Sequence, residues 1–271
     1  MKAVVLARGK GTRMRRADAS ADLSDAQRRH AESGIKAMVP LRGRPFLDYV
    51  LSALADAAVT DVCLVIGPEH DVMREYYTDV APPRRLRMSL AVQQEPRGTA
   101  DALLSVRDFA GDDQFLVLNG DNYYAIDVLR ALVALDGPGL PVFSRDALLR
   151  QSNFHADRVR SFALLRIAPN GDLEDIIEKP DDDTYRALAV EADALISMNV
   201  WRFGPAIFTA CRSITPSIRG ELELPEAVRY AVRTLHERFR TIRAESGVLD
   251  LSRQGDVPEV ERRLQDVHVN P

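Results

Sequence analysis

Residues 3–13 read Ala3-Val4-Val5-Leu6-Ala7-Arg8-Gly9-Lys10-Gly11-Thr12-Arg13, an apolar run followed at once by a basic, glycine-rich loop. A continuous apolar run without alternation is typical of a central parallel strand that is covered on both faces. In open sheets of parallel strands, ligands bind beyond the carboxyl ends of the strands. The loop therefore lies where a ligand is expected.

This loop has the chemistry of an anion-binding segment. Gly9 and Gly11 allow the backbone to approach a ligand closely, while Lys10 and Arg13 supply positive charge for phosphate groups. The loop is not a Walker A motif, because no Gly-Lys-Ser/Thr follows a four-residue gap, and it lacks the third glycine of a dinucleotide fingerprint. The residues thus indicate phosphate binding without either of those motifs.

The first half of the chain alternates between strand and helix patterns. Helical spacing follows Pro45, and Pro at a helix start is favourable because its missing N–H needs no partner there. Further segments share the alternation, with strands predicted over 62–66, 86–93 and 115–118 and helices over 46–58, 69–77 and 99–109. Repeated β-α-β units predict an α/β fold with a doubly wound, mostly parallel sheet.

The second half is less regular. Two short strand patterns, 161–168 and 173–177, flank Pro169-Asn170-Gly171-Asp172, and Asn-Gly is a strong hairpin signal. A further strand is predicted over 196–203, with helices over 224–235 and 258–264. We find no linker or repeat. We therefore expect one domain over 1–271, divided into halves of about 1–135 and about 136–271, with a small inserted β subdomain in the second.

The composition and net charge of the chain limit the kinds of partner and compartment that we expect. The formal net charge of −4 gives no reason to expect nucleic acid or an anionic membrane surface as a partner. No apolar segment approaches the roughly 20 residues of a membrane-spanning helix. Cys63 and Cys211 lie in apolar stretches without metal-ligand spacing, which indicates two buried thiols in a reducing, cytoplasmic setting.

Together with later segments, the loop resembles the motifs of the sugar nucleotidyltransferases, a family that includes glucose-1-phosphate thymidylyltransferases and ADP-glucose pyrophosphorylases. The segments that carry the resemblance, in the family's order, are Leu6-Ala7-Arg8-Gly9-Lys10-Gly11-Thr12-Arg13, Ile35-Lys36-Ala37-Met38-Val39-Pro40 with Gly43-Arg44-Pro45-Phe46, Gln93 with Gly98-Thr99-Ala100-Asp101-Ala102, Leu118-Asn119-Gly120-Asp121-Asn122, Ile177-Glu178-Lys179-Pro180, Arg219-Gly220-Glu221-Leu222-Glu223 and Val248-Leu249-Asp250. The resemblance implies a Rossmann-like nucleotidyltransferase fold whose inserted subdomain faces the sugar. It also implies an enzyme that joins a nucleoside triphosphate to a sugar 1-phosphate and releases pyrophosphate.

The resemblance assigns the catalytic and metal-binding roles. Arg13 is expected to hold the outgoing pyrophosphate, and Lys36 to reach the α-phosphate as negative charge develops there. Asp121 is expected to be catalytic as a ligand of Mg²⁺, with Asp250 as the second carboxylate, since carboxylate oxygen suits that hard cation. No general base is required, because a phosphate dianion is already a nucleophile.

The resemblance assigns the remaining site residues to one or the other of the two substrates. The resemblance implies that the nucleotide is bound by Leu6, Ala7, Gly9, Gly11, Thr12, Arg13, Gln93, Gly98 and Thr99. It implies that the sugar phosphate is bound by Asn122, Glu178, Lys179, Asn199 and Arg219. A glutamine amide can donate to one edge of a pyrimidine while accepting from its N–H, so Gln93 favours uracil or thymine over cytosine and hence UTP or dTTP.

Two departures lie near the loop. Arg8 stands where the family usually has alanine, and this additional cation either binds a phosphate or points into solvent. The stretch before Lys36 is longer than usual in the family. Within it, Ser24-x-x-Gln27 predicts a capping box that opens a short helix over 25–33, above the mouth of the site.

Other departures fall in the expected sugar pocket. Ala163 and Asn199 stand where the family usually has glycine, so the extra side chains are expected to shrink the pocket or re-aim its hydrogen bonds. We therefore expect that glucose 1-phosphate is not the best substrate, and that another sugar phosphate or a smaller phosphorylated alcohol is preferred. The oligomeric state cannot be read from the sequence, and the resemblance is compatible with a homo-oligomer, either a dimer or a tetramer.

Alternatives stay open at this point. The base could be cytosine, guanine or adenine, and the acceptor could be a phosphorylated alcohol such as phosphocholine. A nucleotide-consuming glycosyltransferase would need an Asp-x-Asp motif, for which Asp181-Asp182-Asp183 is available, although that run is typical of a solvated loop. A catalytically silent regulatory paralogue would be expected to have lost Arg13, Lys36 or a metal carboxylate, and all of them are present.

Overall fold

The computed structural model describes residues 1–178, 180, 181, 183, 185 and 195–271. Two residues named above, Lys179 and Asp182, lie outside the described residues. None of the helices within these ranges is both long enough and apolar enough to cross a membrane.

Strands and helices largely alternate through the first half of the chain, and the described part of the second half contains runs of consecutive strands. The strands are β1 (Lys2–Leu6), β2 (Pro40–Leu41), β3 (Arg44–Pro45), β4 (Asp61–Ile66), β5 (Arg87–Val92), β6 (Phe115–Asn119), β7 (Asn122–Tyr124), β8 (Gly139–Ser144), β9 (Leu164–Ile167), β10 (Leu173–Ile177), β11 (Leu195–Ile196), β12 (Val200–Phe203), β13 (Arg240–Ala244) and β14 (Val248–Asp250). The helices are α1 (Asp25–Ser33), α2 (Phe46–Asp56), α3 (Asp71–Glu75), α4 (Thr99–Leu104), α5 (Arg107–Ala110), α6 (Ile126–Ala134), α7 (Arg145–Gln151), α8 (Ala156–Val159), α9 (Ala206–Ser213), α10 (Leu224–Arg233) and α11 (Val257–Arg263).

One large sheet organises the molecule. Its strand order is β10-β9-β11-β8-β12-β6-β1-β4-β5, and β13 pairs with β8. The strands β6, β1, β4 and β5 are parallel, as the β-α-β pattern predicts. Most strands of the second half pair antiparallel and extend the same sheet beyond β6. The predicted doubly wound α/β fold is confirmed.

The first strand lies in the middle of the sheet because both of its faces are apolar. Val5 packs in the hydrophobic cluster on one side of the sheet, and Val4 packs in the cluster on the other side. Successive side chains of a strand point to opposite faces, so a strand with no polar alternation must be covered twice. Ala3, Val4 and Val5 are accordingly inaccessible to solvent.

Two predicted elements are interrupted. The strand predicted over 196–203 is split into β11 and β12, because Asn199 between them has a left-handed backbone with φ of 56°. The helix predicted over 99–109 is split into α4 and α5, because Val106 leaves the helical region at φ −110° and ψ 14°. Apolar spacing reports which side chains are buried, and it carries little information about a single backbone torsion.

The inserted helix α1 begins as its sequence predicts. The Ser24 hydroxyl accepts from the backbone N–H of Gln27 at 3.3 Å, and the Gln27 side-chain oxygen accepts from the Ser24 N–H at 3.0 Å. The helix ends at Gly34, whose φ of 79° is the left-handed conformation that favours glycine. Both cysteines are buried free thiols, as expected, and burial raises the pKa of Cys211 to about 12.

Candidate active site

A cavity of about 440 Å³ lies where the central parallel strands end. Its wall includes the predicted site residues Leu6, Ala7, Gly9, Gly11, Thr12, Arg13, Lys36, Gln93, Gly98, Thr99, Asp121, Glu178, Asn199 and Arg219. These residues come from both halves of the chain, so the predicted nucleotide-side and sugar-side residues share one cavity.

Strand register explains why the loop and Asp121 meet. Leu6 pairs with Asn119 of β6 on one side and with Val65 of β4 on the other. The ladder continues past the strand ends, because Gly120 donates to the Leu6 carbonyl and Ala7 donates to the Val65 carbonyl, each at 2.9 Å. The glycine-rich loop and Asp121 therefore leave the sheet side by side.

The segment before Lys36, which contains α1, also packs against the glycine-rich loop. Gly11 has φ of 60°, and a Cβ at this position would lie 2.0 Å from the Gly34 carbonyl oxygen. Only glycine permits that approach. The Arg15 guanidinium donates to the Ser33 carbonyl at 3.1 and 2.9 Å, which ties the loop to the end of α1. The insertion thus supports the loop.

Lys36 and Asp121 form an ion pair in the cavity wall. The Lys36 Nζ lies 2.8 Å from Asp121 Oδ2, and the two side chains are 17% and 27% exposed. Burial lowers the pKa of Lys36, but Asp121 and then Asp250 outweigh it, so the pKa of this lysine is raised overall. Lys36 is therefore a permanently charged cation at the carboxyl end of β6.

Asp250 lies behind this pair, outside the cavity wall and almost fully buried. Its Oδ1 accepts from the Asn122 amide at 3.1 Å, and its Oδ2 accepts from Arg158 Nη2 at 2.5 Å. Burial first, and the nearby Asp121 carboxylate second, raise the pKa of Asp250. The structure thus brings both predicted metal carboxylates together. It gives Asn122, predicted to bind the sugar phosphate, a contact with Asp250 rather than a place in the cavity wall.

Sequence reasoning missed Arg158, which belongs to α8. Its guanidinium also donates to the Ser252 hydroxyl at 2.9 Å, and it lies 4.9 Å from the centre of the Phe154 ring. Its partner Asp250 is 92 residues away in the sequence, and no motif contains Arg158. No local pattern could have found this contact.

Asp121 and Asp250 are the carboxylates that could hold a magnesium ion. Across the described part of the chain, no three His, Cys, Asp or Glu side chains form a potential metal cage. Magnesium is commonly held by only one or two carboxylates, with substrate phosphates and water completing its ligands. Burial first and the Asp121 carboxylate second raise the pKa of Asp250, and a divalent cation held by both carboxylates would relieve the repulsion between them.

Gln93 lies at the end of β5 with its side-chain amide buried. The amide nitrogen donates to the Gly98 carbonyl at 3.0 Å and to Asp101 Oδ2 at 2.7 Å. Both amide hydrogens therefore have acceptors within the protein, and the amide oxygen is the group left for a ligand. The sequence predicted that the Gln93 amide both donates to and accepts from the base. It contained no signal that Asp101 takes one of the two amide hydrogens.

Arg8, for which two orientations were open, does not point into solvent. Its side chain is 7% exposed, and Nε and Nη2 each donate to a Glu69 carboxylate oxygen at 3.3 Å. Its Nη1 is buried and has no hydrogen-bond partner among the atoms of the described residues. Arg8 lines the cavity as a cation whose pairing is incomplete.

Other charges of the cavity wall are more exposed, both among the predicted sugar-side residues and in the glycine-rich loop. Arg219 donates to Glu223 at 2.6 Å, and Lys10 of the loop lies 3.8 Å from Glu221. The left-handed φ of Asn199 explains how asparagine can replace glycine there, since asparagine is among the few other residues that adopt this conformation readily. Ala163 packs in the hydrophobic core and does not belong to the cavity wall.

Comparison with known proteins shows what this arrangement is similar to. Residues 2–251 match the family described as nucleotidyl transferase. The UTP–glucose-1-phosphate uridylyltransferase of Haloferax volcanii is 29% identical over 266 residues, which cover 98% of this chain and 97% of that protein. The glucose-1-phosphate thymidylyltransferase of Streptomyces griseus is 32% identical over 86% of this chain, which spans only 57% of that protein's length. A UDP-glucose pyrophosphorylase solved with UDP-glucose superposes with a TM-score of 0.73 over 98% of this chain and 99% of that one, at 16% identity, and so shares the fold.

Proposed function

Because this chain belongs to the nucleotidyl transferase family, we propose that it joins UTP or dTTP to a sugar 1-phosphate, giving a nucleoside diphosphate sugar and pyrophosphate. The observation that supports this most is the Lys36–Asp121 ion pair beside the glycine-rich loop, backed by the buried Asp250. Those groups place a cation and a carboxylate in the cavity wall, with a second carboxylate directly behind them. The names of the two relatives above agree in the reaction type.

The proposed step is an in-line displacement at phosphorus. An oxygen of the sugar phosphate attacks the α-phosphorus of the nucleotide, and a new phosphorus–oxygen bond forms. The bond between the α-phosphorus and the bridging oxygen breaks, and pyrophosphate leaves with that electron pair. Both reactants are anions, so the site must neutralise charge while it holds them in line.

Two cations have distinct places in this step. Arg13, in the glycine-rich loop, holds the outgoing pyrophosphate. Lys36 donates to the α-phosphate, where its charge counts most as the reacting phosphorus gains a fifth oxygen neighbour. Breaking the Lys36–Asp121 ion pair costs little in this setting, because each partner exchanges one opposite charge for another.

We propose that Asp121 and Asp250 hold Mg²⁺. The ion, when bound, supplies charge neutralisation and alignment of phosphate oxygens. Asn122 and Arg158 keep Asp250 oriented from behind, through the hydrogen bonds at 3.1 and 2.5 Å.

The sugar phosphate is proposed to lie between the loop and the second half of the chain. Arg219 and Lys179 bind its phosphate, and the Glu178 carboxylate accepts hydrogen bonds from sugar hydroxyls. Asn199 adds an amide to this end of the cavity. Arg219 is half-exposed and already paired with Glu223, so its contribution is expected to be smaller than that of Lys36.

The reaction is tested by a pyrophosphate-release screen of nucleoside triphosphates against sugar 1-phosphates with Mg²⁺, with each product identified by mass spectrometry. We expect UTP or dTTP with a sugar 1-phosphate to give pyrophosphate and the matching nucleotide sugar in equal amounts. The Asp121→Asn variant, purified in the same way, controls for contaminating activity. Tight binding of nucleotide sugars without pyrophosphate release from any pair would replace this proposal with a regulatory binding protein.

A further inference from the structure

We propose that Asp101 is a positioning residue for nucleobase selection. It fixes which end of the Gln93 amide faces the cavity, and thereby favours a pyrimidine whose ring nitrogen carries a hydrogen over one whose ring nitrogen does not. This inference rests on the proposed function, because it assumes that the nucleobase lies against Gln93. Asp101 itself does not belong to the cavity wall, so it acts through its neighbour.

The direction of the amide follows from the chemistry of its partners. The Gly98 carbonyl oxygen at 3.0 Å and the Asp101 carboxylate at 2.7 Å can only accept hydrogen bonds. A side-chain amide donates only from its nitrogen, and therefore the nitrogen must face both of them. The reversed amide would place its own oxygen against two acceptor oxygens in a buried setting, where an unmet polar group is costly.

The first of these acceptors is held rigidly by the main chain. Gly98 has φ of 117°, and a Cβ there would lie 2.4 Å from the Leu222 carbonyl oxygen. On either side of Gly98, Leu222 donates to the Arg97 carbonyl at 2.7 Å and accepts from the Ala100 N–H at 2.9 Å. The second acceptor, Asp101, is carried by α4. The amide nitrogen is thus held between a fixed carbonyl and a carboxylate.

The oxygen of Gln93 is consequently the recognition group. Uracil and thymine present an N3–H that can donate to it, whereas cytosine has an unprotonated N3 in the same place. Two acceptors would then face each other at the buried Gln93 side chain, and such mismatches discriminate strongly. Without Asp101, one amide hydrogen loses its acceptor, and the amide can turn its nitrogen towards cytosine at lower cost.

The test compares binding of UTP and CTP by isothermal titration calorimetry, without sugar phosphate, for wild type, Asp101→Ala and Asp101→Asn. We expect Asp101→Ala to reduce the preference for UTP over CTP about tenfold, the effect of one lost hydrogen bond in a buried site. Asp101→Asn should keep most of the preference, because its amide oxygen still accepts from Gln93. Asp108→Ala, which removes an exposed carboxylate from α5, is the matched control and should leave the ratio unchanged.

Two results would overturn the inference. One is a wild type that binds CTP as tightly as UTP. The other is an Asp101→Ala variant that binds both nucleotides more weakly by the same factor, as expected of a residue that merely supports the fold. Failure of the proposed function would look different, since it would appear as no pyrophosphate release with any pair, while the UTP-to-CTP binding ratio could still be measured.

Discussion

The two ends of the cavity hold their charges in different ways. At the proposed phosphate end, the side chains of the Lys36–Asp121 pair and of the Arg158–Asp250 pair behind it are between 10% and 27% exposed. At the proposed sugar end, the cation Arg219 is 50% exposed. Removing one partner of a buried pair leaves an uncompensated charge, whereas an exposed pair contributes little and is screened by solvent. The phosphate end is therefore preorganised, and the sugar end is free to adapt.

The backbone shows the same contrast. At the proposed phosphate end, the glycine-rich loop and Asp121 follow β1 and β6, whose hydrogen-bond ladder continues to Gly120. Residues of the sugar end lie in turns between elements, among them Asn199 with its left-handed backbone. Substitutions at the phosphate end should thus affect rate and stability strongly, and substitutions at the sugar end should mainly change the choice of substrate.

The largest effect is expected at Asp121. Asp121→Asn should lower kcat by about 10³-fold or more, because a neutral amide is a poor ligand for magnesium and a poor partner for Lys36. The measurement is pyrophosphate release at saturating Mg²⁺, with thermal unfolding to show that the fold is retained. A variant that works at nearly the normal rate would exclude Asp121 as the metal carboxylate.

The next effect is expected at Lys36. Lys36→Ala should lower kcat by about 10²- to 10³-fold with a much smaller change in nucleotide affinity, since its charge matters most in the transition state. Stopped-flow turnover and calorimetric Kd values separate the two quantities. Lys2→Ala is the control, because this lysine lies at the start of β1, at the opposite end of the strand from the glycine-rich loop, and pairs with the exposed Asp113. Equal losses in rate and affinity would indicate that Lys36 only binds substrate.

A smaller effect, on stability, tests the buried pair behind the cavity. Arg158→Gln should reduce the free energy of unfolding by about 3 kcal/mol, because it leaves the buried Asp250 carboxylate without its cation. Arg150→Gln removes an exposed ion pair with Asp146 and should change it by less than about 0.5 kcal/mol. Urea denaturation of both variants gives the comparison. The double variant Arg158→Gln/Asp250→Asn should recover part of the lost free energy of unfolding. If Arg158→Gln and Arg150→Gln were equally stable, the buried pair would contribute no more than the exposed one.

The smallest effect on stability is expected at the sugar end. Asn199→Gly should change the free energy of unfolding by no more than about 0.5 kcal/mol, since glycine adopts a φ of 56° without strain. It should nevertheless reorder kcat/KM across a panel of sugar 1-phosphates, because the asparagine amide is lost from the cavity wall. Glucose 1-phosphate is expected to gain rank in the variant. If it already ranks first for the wild type and the order does not change, Asn199 has no part in sugar selection.

The sequence by itself determined the α/β fold and the positions of the glycine-rich loop and of Asp121 beyond the ends of β1 and β6. Each of these has a local signal: an apolar run that must be covered on both faces, glycines and cations within six residues, and a Gly-Asp beyond a strand. The sequence also predicted the capping box of α1, because the side chains of Ser24 and Gln27 accept hydrogen bonds from each other's backbone N–H within one turn.

Only the tertiary structure decided how those groups are held. Arg158 reaches Asp250 across 92 residues, Gly11 contacts Gly34 through an inserted segment, and Gln93 takes its orientation from a carboxylate on the following helix. The same is true of the break at Asn199, where one backbone torsion ends a strand that the side-chain pattern predicts to continue. Local patterns record burial and torsional preference, but the partner of a buried charge or amide is selected by which elements the folded sheet places beside it.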